Sequence, residues 1–308
     1  MPVTTGGYDT ALPADVSGSI DGAVNKFLAE SRFTLQERPG VVKSSIRNEK
    51  LPDNQGPYVN IPKYGTVTTY ALTQGIDMAQ AQEITDTLMS IQPTEFGAQV
   101  ILTDILLMTV KDEFFRVAGR ILGDSFDRQQ DQTLCDDLDN FSTSLGSAGT
   151  AMNIGHVMAA HAGIKYGNPA AGVGRGGEPG PDPISGIFTP AQVHSLKKTM
   201  VGGVGAAGTT QIVPDLGRAA FSESFPMGGT MIKSDVNINK DSSDDAKGGV
   251  LSEQAMIIVT LGSAANAEKQ RDASLRGWEI NFVGRWGRGE YNDAWGTEMV
   301  FDSATPTS

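Results

Sequence analysis

The chain carries a single cysteine, Cys135, in 308 residues. No disulfide can form within it, and no multi-cysteine zinc site is available. Three histidines, His156, His161 and His194, leave little material for a histidine-based metal centre. Basic charge is scarce: 24 Lys and Arg face 36 Asp and Glu, a formal net charge of -12. That balance excludes a dedicated basic nucleic-acid-binding domain, whose footprint is a strongly basic surface. Apolar runs are short. The longest lie at 100–110, interrupted by Asp104, and at 255–261, far below the roughly 20 residues that span a bilayer. The opening Met-Pro-Val-Thr-Thr-Gly-Gly has neither a basic start nor an apolar stretch, so it does not read as a secretory signal. Glycine is what the chain has in excess, 37 residues, about 12% against a usual share of about 7%. These features predict a soluble, intracellular-type, acidic protein with no cofactor and no membrane partner.

The character of the chain changes along its length. Residues 1–21 are rich in Gly, Thr, Ser, Pro and Asp and read as an extended arm. Over 22–50 the charge flips. Lys26, Arg32, Arg38, Lys43, Arg47 and Lys50 outnumber Glu30, Glu37 and Glu49, while Phe27, Leu28, Phe33 and Leu35 are too sparse to form a core. The stretch 56–72 is rich in Tyr, Thr and Val, which favours a strand, and Pro57 and Pro62 mark it as an edge. Residues 84–91 read as a returning strand. A helix over 77–91 is the alternative, because Asp77 and Gln80 have capping-box spacing. The hairpin suits the threonines and the closing Pro93 and Gly97 better. Such a hairpin is marginal alone.

From 101 to 140 the signal is helical. Leu102, Ile105, Leu106, Val110, Phe114, Val117, Ile121 and Leu122 recur at helical spacing and predict a buried spine. Its second half holds six aspartates, with Phe126, Leu134 and Leu138 as an apolar stripe, and reads as solvated. One continuous helix of this kind would be roughly 55–60 Å long. Further on, the pattern predicts a helix over 150–166 and a strand over 184–188. A helix follows through Met200, opened by Thr189 as cap and Pro190 at the first position. A small-residue loop is expected over 201–217, a strand over 231–238, an acidic exposed turn over 241–249 and a buried strand over 254–260. The last strands, 276–285 and 298–302, flank a Gly-Arg-Gly turn at 287–289.

No motif assembles a catalytic constellation. Gly172-x-Gly174-x-x-Gly177 and Gly203-x-Gly205-x-x-Gly208 fit the dinucleotide pattern, but neither lies between a strand and an opening helix. Asp235-x-Asn237-x-Asn239 begins like a calcium loop, then places Lys240 where glycine and Ala246 where glutamate belong. Ser195-x-x-Lys198 lacks its companion motifs and falls on a helix face expected to be solvated. His156 and His161 are five apart on a helix and do not share a face. Cys135 sits among Asp136, Asp137 and Asp139, which raise a thiol's pKa. A glycine-rich α/β enzyme using Ser195 or an acidic site is the competing class, but it gains nothing from a long hairpin.

The order of segments, arm, hairpin, spine helix, mixed region and returning strands, resembles the major capsid proteins of tailed bacteriophages over about residues 20–304. Their fold is the Hong Kong 97-type capsid fold, also found in encapsulins. Local runs carry the resemblance: Thr94-Glu95-Phe96-Gly97 through Leu102-Thr103-Asp104, Ala118-Gly119-Arg120, the strand and helix at 184–200, and Arg285-Trp286-Gly287 through Asp302. It implies an α+β fold divided into an arm (1–50), an extended hairpin or E-loop (51–100), a peripheral-domain spine helix (101–149), an axial domain (150–275) and C-terminal peripheral strands (276–308). It further implies that Phe27, Arg32, Phe33 and Arg38 of the arm, and Tyr58, Tyr64, Val67 and Tyr70 of the hairpin, contact neighbouring subunits. Leu102, Ile105, Leu106, Phe114, Val117 and Ile121 would form the spine-helix core. The implied function is a self-assembling shell of pentamers and hexamers around double-stranded DNA, bound non-specifically, in a virion capsid assembled in the host cytoplasm. Scaffolding, portal and decoration proteins would be separate chains, and an encapsulin-like compartment is the near variant. The basic stretch would face DNA or an acidic surface such as the 124–139 helix of a neighbour.

Overall fold

The computed structural model describes residues 40–51, 56, 58–65, 67–75, 77, 81–109, 112–167, 177–206, 222, 224–261 and 266–307, the side chains of 112–116, 118, 200–206 and 266–267 apart. The arm residues Phe27, Arg32, Phe33 and Arg38 lie outside them, as do Gly172, Gly174 and Gly208.

Two mixed sheets and a two-stranded ribbon carry the fold. Strands β1 (Arg47–Leu51), β4 (Thr94–Thr103), β10 (Met256–Leu261), β11 (Asn266–Asp272) and β12 (Gly277–Glu290) form a five-stranded sheet. The 14-residue β12 is its organiser. It pairs antiparallel with β4 from Trp286↔Thr94 to Gly277↔Thr103, with β11 over its first half and with β10 over its end. Strand β1 runs parallel to β10. The six-stranded sheet is built from β5 (Ser144–Gly146), β6 (Ile184–Phe188), β7 (Phe225–Met227), β8 (Thr230–Ser234), β9 (Asp245–Ser252) and β13 (Gly296–Asp302), in the order β5-β13-β9-β6-β8-β7. Among the described residues, strands β2 (Val59–Tyr64) and β3 (Asp86–Ile91) pair only with each other. The result is α+β. The expected boundary at 275 does not separate the sheets, because β10 and β11 lie with β12 while β13 lies with β9.

The helices are α1 (Asp104–Thr109), α2 (Asp112–Asp136), α3 (Ile154–Tyr166) and α4 (Pro190–Ala206). Helix α3 starts at Ile154, four residues later than its periodicity suggests. Asn153 caps it: its Oδ1 accepts the His156 N–H at 3.1 Å, and His156 Nδ1 accepts the Asn153 N–H at 3.3 Å. It stops at Gly167 in the left-handed region, φ 69°. Helix α4 opens as expected, with Thr189 Oγ1 accepting from Gln192 N–H and Gln192 Oε1 accepting from Thr189 N–H. It runs on through Ala206, so its first small residues, Val201 to Ala206, are helix rather than loop. Both helices pack on the six-stranded sheet, where Val157, Ala160, Ile164, Val193 and Leu196 meet Ile184, Phe188, Ile232 and Phe301.

The spine is shorter than its sequence pattern. Residues 94–103 are strand, because Phe96, Ala98, Val100 and Leu102 alternate toward one face and pack with Ile280, Phe282 and Trp286. A period of two there captures residues that helical spacing also fits. Leu102 is therefore a buried strand residue, not a helix one. Helix α2, about 37 Å long at 1.5 Å per residue, bridges the sheets. Leu122 and Phe126 pack on β4 and β12. Leu134 and Cys135, with Leu138 in the 3-10 turn Asp137–Asn140, pack with Ile187, Leu251, Met256 and Ile258. The six aspartates of 124–139 are not uniformly solvated: Asp136 and Asp139 are exposed, Asp124, Asp127 and Asp137 are half-buried, and Asp131 is enclosed.

Two further expectations change. The acidic turn is confined to Asp241–Asp244, and Asp245–Ser252 is a buried strand between β6 and β13. Its glycines let neighbouring groups close in: a Cβ on Gly248 would lie 2.6 Å from the Ile187 carbonyl oxygen. The Gly-Arg-Gly run is not a turn either. Gly287, Arg288 and Gly289 continue β12 opposite β10.

Candidate assembly surface

The ribbon starts in the core and ends outside it. Its register sets Val59 opposite Ile91, Ile61 opposite Met89, Pro62 opposite Leu88 and Tyr64 opposite Asp86. At the root, Val59 and Ile91 are buried against Ile257 and Val259 of β10, with Ile61, Met89 and Tyr291 packed around them. Here the Gly-Arg-Gly run acts. A Cβ on Gly287 would lie 2.7 Å from Ile91 Cγ2 and 3.1 Å from the Pro93 backbone, and one on Gly289 would collide with the Met89 methyl. The two glycines leave the groove in which the ribbon root sits. Arg288 between them ion-pairs with Asp137 at the end of the spine. Burial keeps the Asp137 carboxyl above its usual range despite that guanidinium. The Tyr291 hydroxyl donates to the Pro62 carbonyl at 3.4 Å and Lys63 faces Glu178 at 3.7 Å, completing the root.

Beyond the root, every described residue from Tyr64 to Leu88 is exposed. Strand pairing ends at Tyr64↔Asp86, and the Gly65 N–H adds one bond to the Thr85 carbonyl. Farther out, the Gln82 side chain grips the Thr68 backbone at 2.9 and 2.8 Å. The residues expected to meet a neighbour are exposed in the single chain. Tyr58, Val67 and Tyr70 are each 53% exposed and Tyr64 is 66% exposed. Leu72, Ile84 and Leu88, absent from the expected interface residues, are at least as bare. Their signal in the sequence is aliphatic residues set among polar ones, Leu72 and Ile84 outside the paired strands and Leu88 on β3.

The spine offers a second apolar face. Ile105 and Met108, three apart on α1, are 76% and 74% exposed, and Val117 and Ile121, four apart on α2, also face outward. This corrects the expected helix core. Leu106 is half-buried against the five-stranded sheet, but Ile105, Val117 and Ile121 are not core residues, and the side chain of Phe114 lies outside the described ones. A helix that is apolar all round and covered on one side leaves a second face without cover in the single chain.

The remaining sequence candidates are spread across the fold. His156 serves the α3 cap, and His161 Nδ1 lies 3.1 Å from Thr230 Oγ1. Ser195 is half-buried and Lys198 exposed on α4. Burial, then Asp235 and Asp131, push the Cys135 thiol far up, so the cause is mainly enclosure rather than the aspartates beside it in sequence. Asp235, the first residue of the calcium-loop pattern, is buried beside Asp131. Two described residues of the basic stretch are engaged within the chain, Lys43 Nζ donating to Gln130 Oε1 of the spine at 2.7 Å and Arg47 pairing with Glu49, while Lys50 is exposed.

No protein-family model and no curated protein matches the sequence. Solved structures match the fold. The capsid of Ralstonia phage GP4 aligns with a TM-score of 0.62 at 15% identity, covering 86% of this chain and 88% of that chain. The acidic stable capsid structure of Helicobacter pylori bacteriophage KHP30 aligns with a TM-score of 0.63 at 12% identity, over 84% and 88%. The capsid structure of the cyanophage P-SCSP1u gives 0.59 at 15% identity, over 84% and 87%. At such identities the likeness is one of fold, and it runs through more than four-fifths of both chains.

Proposed function

We propose that this chain is the major capsid protein of a tailed bacteriophage, a structural subunit that assembles with copies of itself into pentamers and hexamers of an icosahedral shell. The observation that carries the reading is the end-to-end fold shared with phage capsid chains, more than four-fifths of each chain in both directions. The exposed ribbon and the bare spine face give that reading its physical sense. An open, apolar two-stranded ribbon is a liability in a monomer. Laid across a neighbour it becomes an interface, and the arm residues Phe27, Arg32, Phe33 and Arg38 reach a neighbour in the same way.

Magnitudes set how many contacts are needed. Burying Tyr64, Tyr70, Leu72, Ile84 and Leu88 contributes about 1.5–3 kcal/mol each. Association costs about 4–15 kcal/mol in lost freedom. One ribbon therefore holds a neighbour only marginally, and arm, ribbon and spine face act together in a closed lattice. The sheet around β12 takes the peripheral role and the sheet around β6 the axial one. The acidic shell, at a net charge of -12, encloses double-stranded DNA without gripping it. Assembly belongs to the host cytoplasm, with scaffolding, portal and decoration proteins as separate chains.

Negative-stain microscopy with gel filtration of the expressed protein tests this. Shells, capsomers or sheets are expected, and a stable compact monomer at high concentration would sink the reading.

A further inference from the structure

Where the arm enters the body, two enclosed carboxyl groups face each other. Asp131 on α2 and Asp235, which follows β8, are 3% and 2% exposed. One oxygen of each and the Cys135 sulfur lie within 4.8 Å of one another. Asp131 Oδ1 accepts the Val42 N–H at 3.2 Å, and its Oδ2 accepts from Asn237 Nδ2 at 2.9 Å. Asp235 Oδ1 accepts the Asn237 N–H at 2.8 Å, and Oδ2 accepts from the Cys135 thiol at 3.7 Å. Gly40 passes so close that any side chain there would strike the Asp131 carboxyl. Asp131 is thus the point on the spine where the arm root is fastened.

The surrounding charges do not neutralise the pair. On the arm root, Lys43 is drawn to Asp127 and Asp131, but burial lowers its own pKa and Lys50 opposes it. Its ammonium bonds Gln130. Lys233 on β8 is turned to the Ser44 and Ser45 hydroxyls. On the spine's own side, Asp127 acts on Lys43 and Asp136 on Cys135. Burial first, then the hydrogen bond and charge of Asp235, push Asp131 up to about 7 against the opposing bonds from Asn237 and Val42.

We propose that Asp131 and Asp235 share one proton, and that this proton pins the arm root, residues 40–46, to helix α2, so that the root loosens as pH rises. The sign follows from linkage. A loosened, hydrated Asp131 gives up its proton near pH 4, whereas the pinned one keeps it to about pH 7. Across that window each pH unit weakens the pin about tenfold; above it both states are ionised and the effect levels off. On release, the proton goes to solvent and two buried negative charges repel. The pin works inside one chain, so it stands or falls independently of shell assembly.

Hydrogen–deuterium exchange of the full chain, normalised for intrinsic amide chemistry, tests it. Protection of the peptide spanning residues 40–46 is expected to fall about tenfold between pH 6 and pH 8 and to change little from pH 8 to pH 9. Asp131→Asn keeps an acceptor for Val42 while Asn237 turns its amide, and should flatten the profile, as should Asp235→Asn. Glu290→Gln removes another carboxyl that burial and Asp293 raise to about 7, and should leave the profile unchanged. A flat wild-type profile overturns the pin. So does a slope that survives either aspartate substitution or vanishes in Glu290→Gln. Should both aspartate variants fail to fold, the wild-type and Glu290→Gln profiles decide.

Discussion

Gly287 and Gly289 lie two apart in β12, so they present the same face of the sheet, and that face receives Ile91 and Met89. The two positions differ in consequence. Met89 meets Gly289 with the far end of a flexible side chain, whereas Gly287 meets a β-branched side chain and the Pro93 backbone. Gly287→Ala is expected to destabilise the subunit by about 1–3 kcal/mol, the usual range for overpacking, read from its urea midpoint. Gly163 is the contrast. It lies inside α3, and a Cβ there meets nothing within 4 Å. Gly163→Ala should raise stability by about 0.5–1 kcal/mol in the same measurement, because alanine restricts the unfolded chain more. Composition shows the glycine excess. It does not show which glycines make room and which are merely tolerated, because that depends on residues almost two hundred positions away.

At the scale of elements, the ribbon has two ends with opposite physics. Its root is core: Ile91→Ala should cost about 2–4 kcal/mol of unfolding free energy, the range for truncating a buried isoleucine. Its far part is solvent-exposed in the single chain. Leu72→Ser combined with Leu88→Ser should move subunit stability by no more than about 0.5 kcal/mol while abolishing assembly in sedimentation velocity. A double variant that still assembles would remove the ribbon from the interface. The paired strands were legible from Tyr, Thr and Val content and from Pro62. The helix expected over 150–166 was legible apart from its start, which the Asn153 cap sets at Ile154, and the capped start at Thr189 was legible as local chemistry. The spine expected from 101 starts too early, because 101–103 belongs to a strand whose residues also fit the helical period. Phe96, Ala98, Val100 and Leu102 alternate, yet Leu102 also fits the helical series with Leu106. Pairing along the whole of β12 decides for strand, because ten residues of ladder outweigh one extra helical turn.

For the whole molecule, the arm root from Gly40 onward belongs to the body. Val42 and Ile46 are 0% and 2% exposed within the core that also holds Leu134 and Leu138. Removing residues 1–39 should leave thermal melting of the subunit nearly unchanged and prevent shells in electron micrographs. Removing 1–45 takes Val42 and the Asp131 partner away as well, and should lower the melting temperature by several degrees, on the order of 4–8 °C per kcal/mol for a small domain and less for one of this size. Equal melting of the two truncations would show that the arm root adds nothing to the fold.

The sequence by itself determined the class of element along most of the chain, the absence of disulfide and multi-cysteine chemistry, the uneven charge and, through the order of segments, the α+β capsid-like architecture. These are local or compositional properties, readable from neighbours a few residues apart. Only the tertiary structure decided which apolar residues are core and which are bare. Ile105, Val117 and Ile121 have the same chemistry and nearly the same spacing as Leu106, Leu122 and Phe126, but a single sheet can cover only one side of a helix. Tertiary structure also brought Asp131 to Asp235 across 104 positions and set Gly287 under Ile91, because a long strand and a long helix make neighbours of residues that the chain keeps far apart.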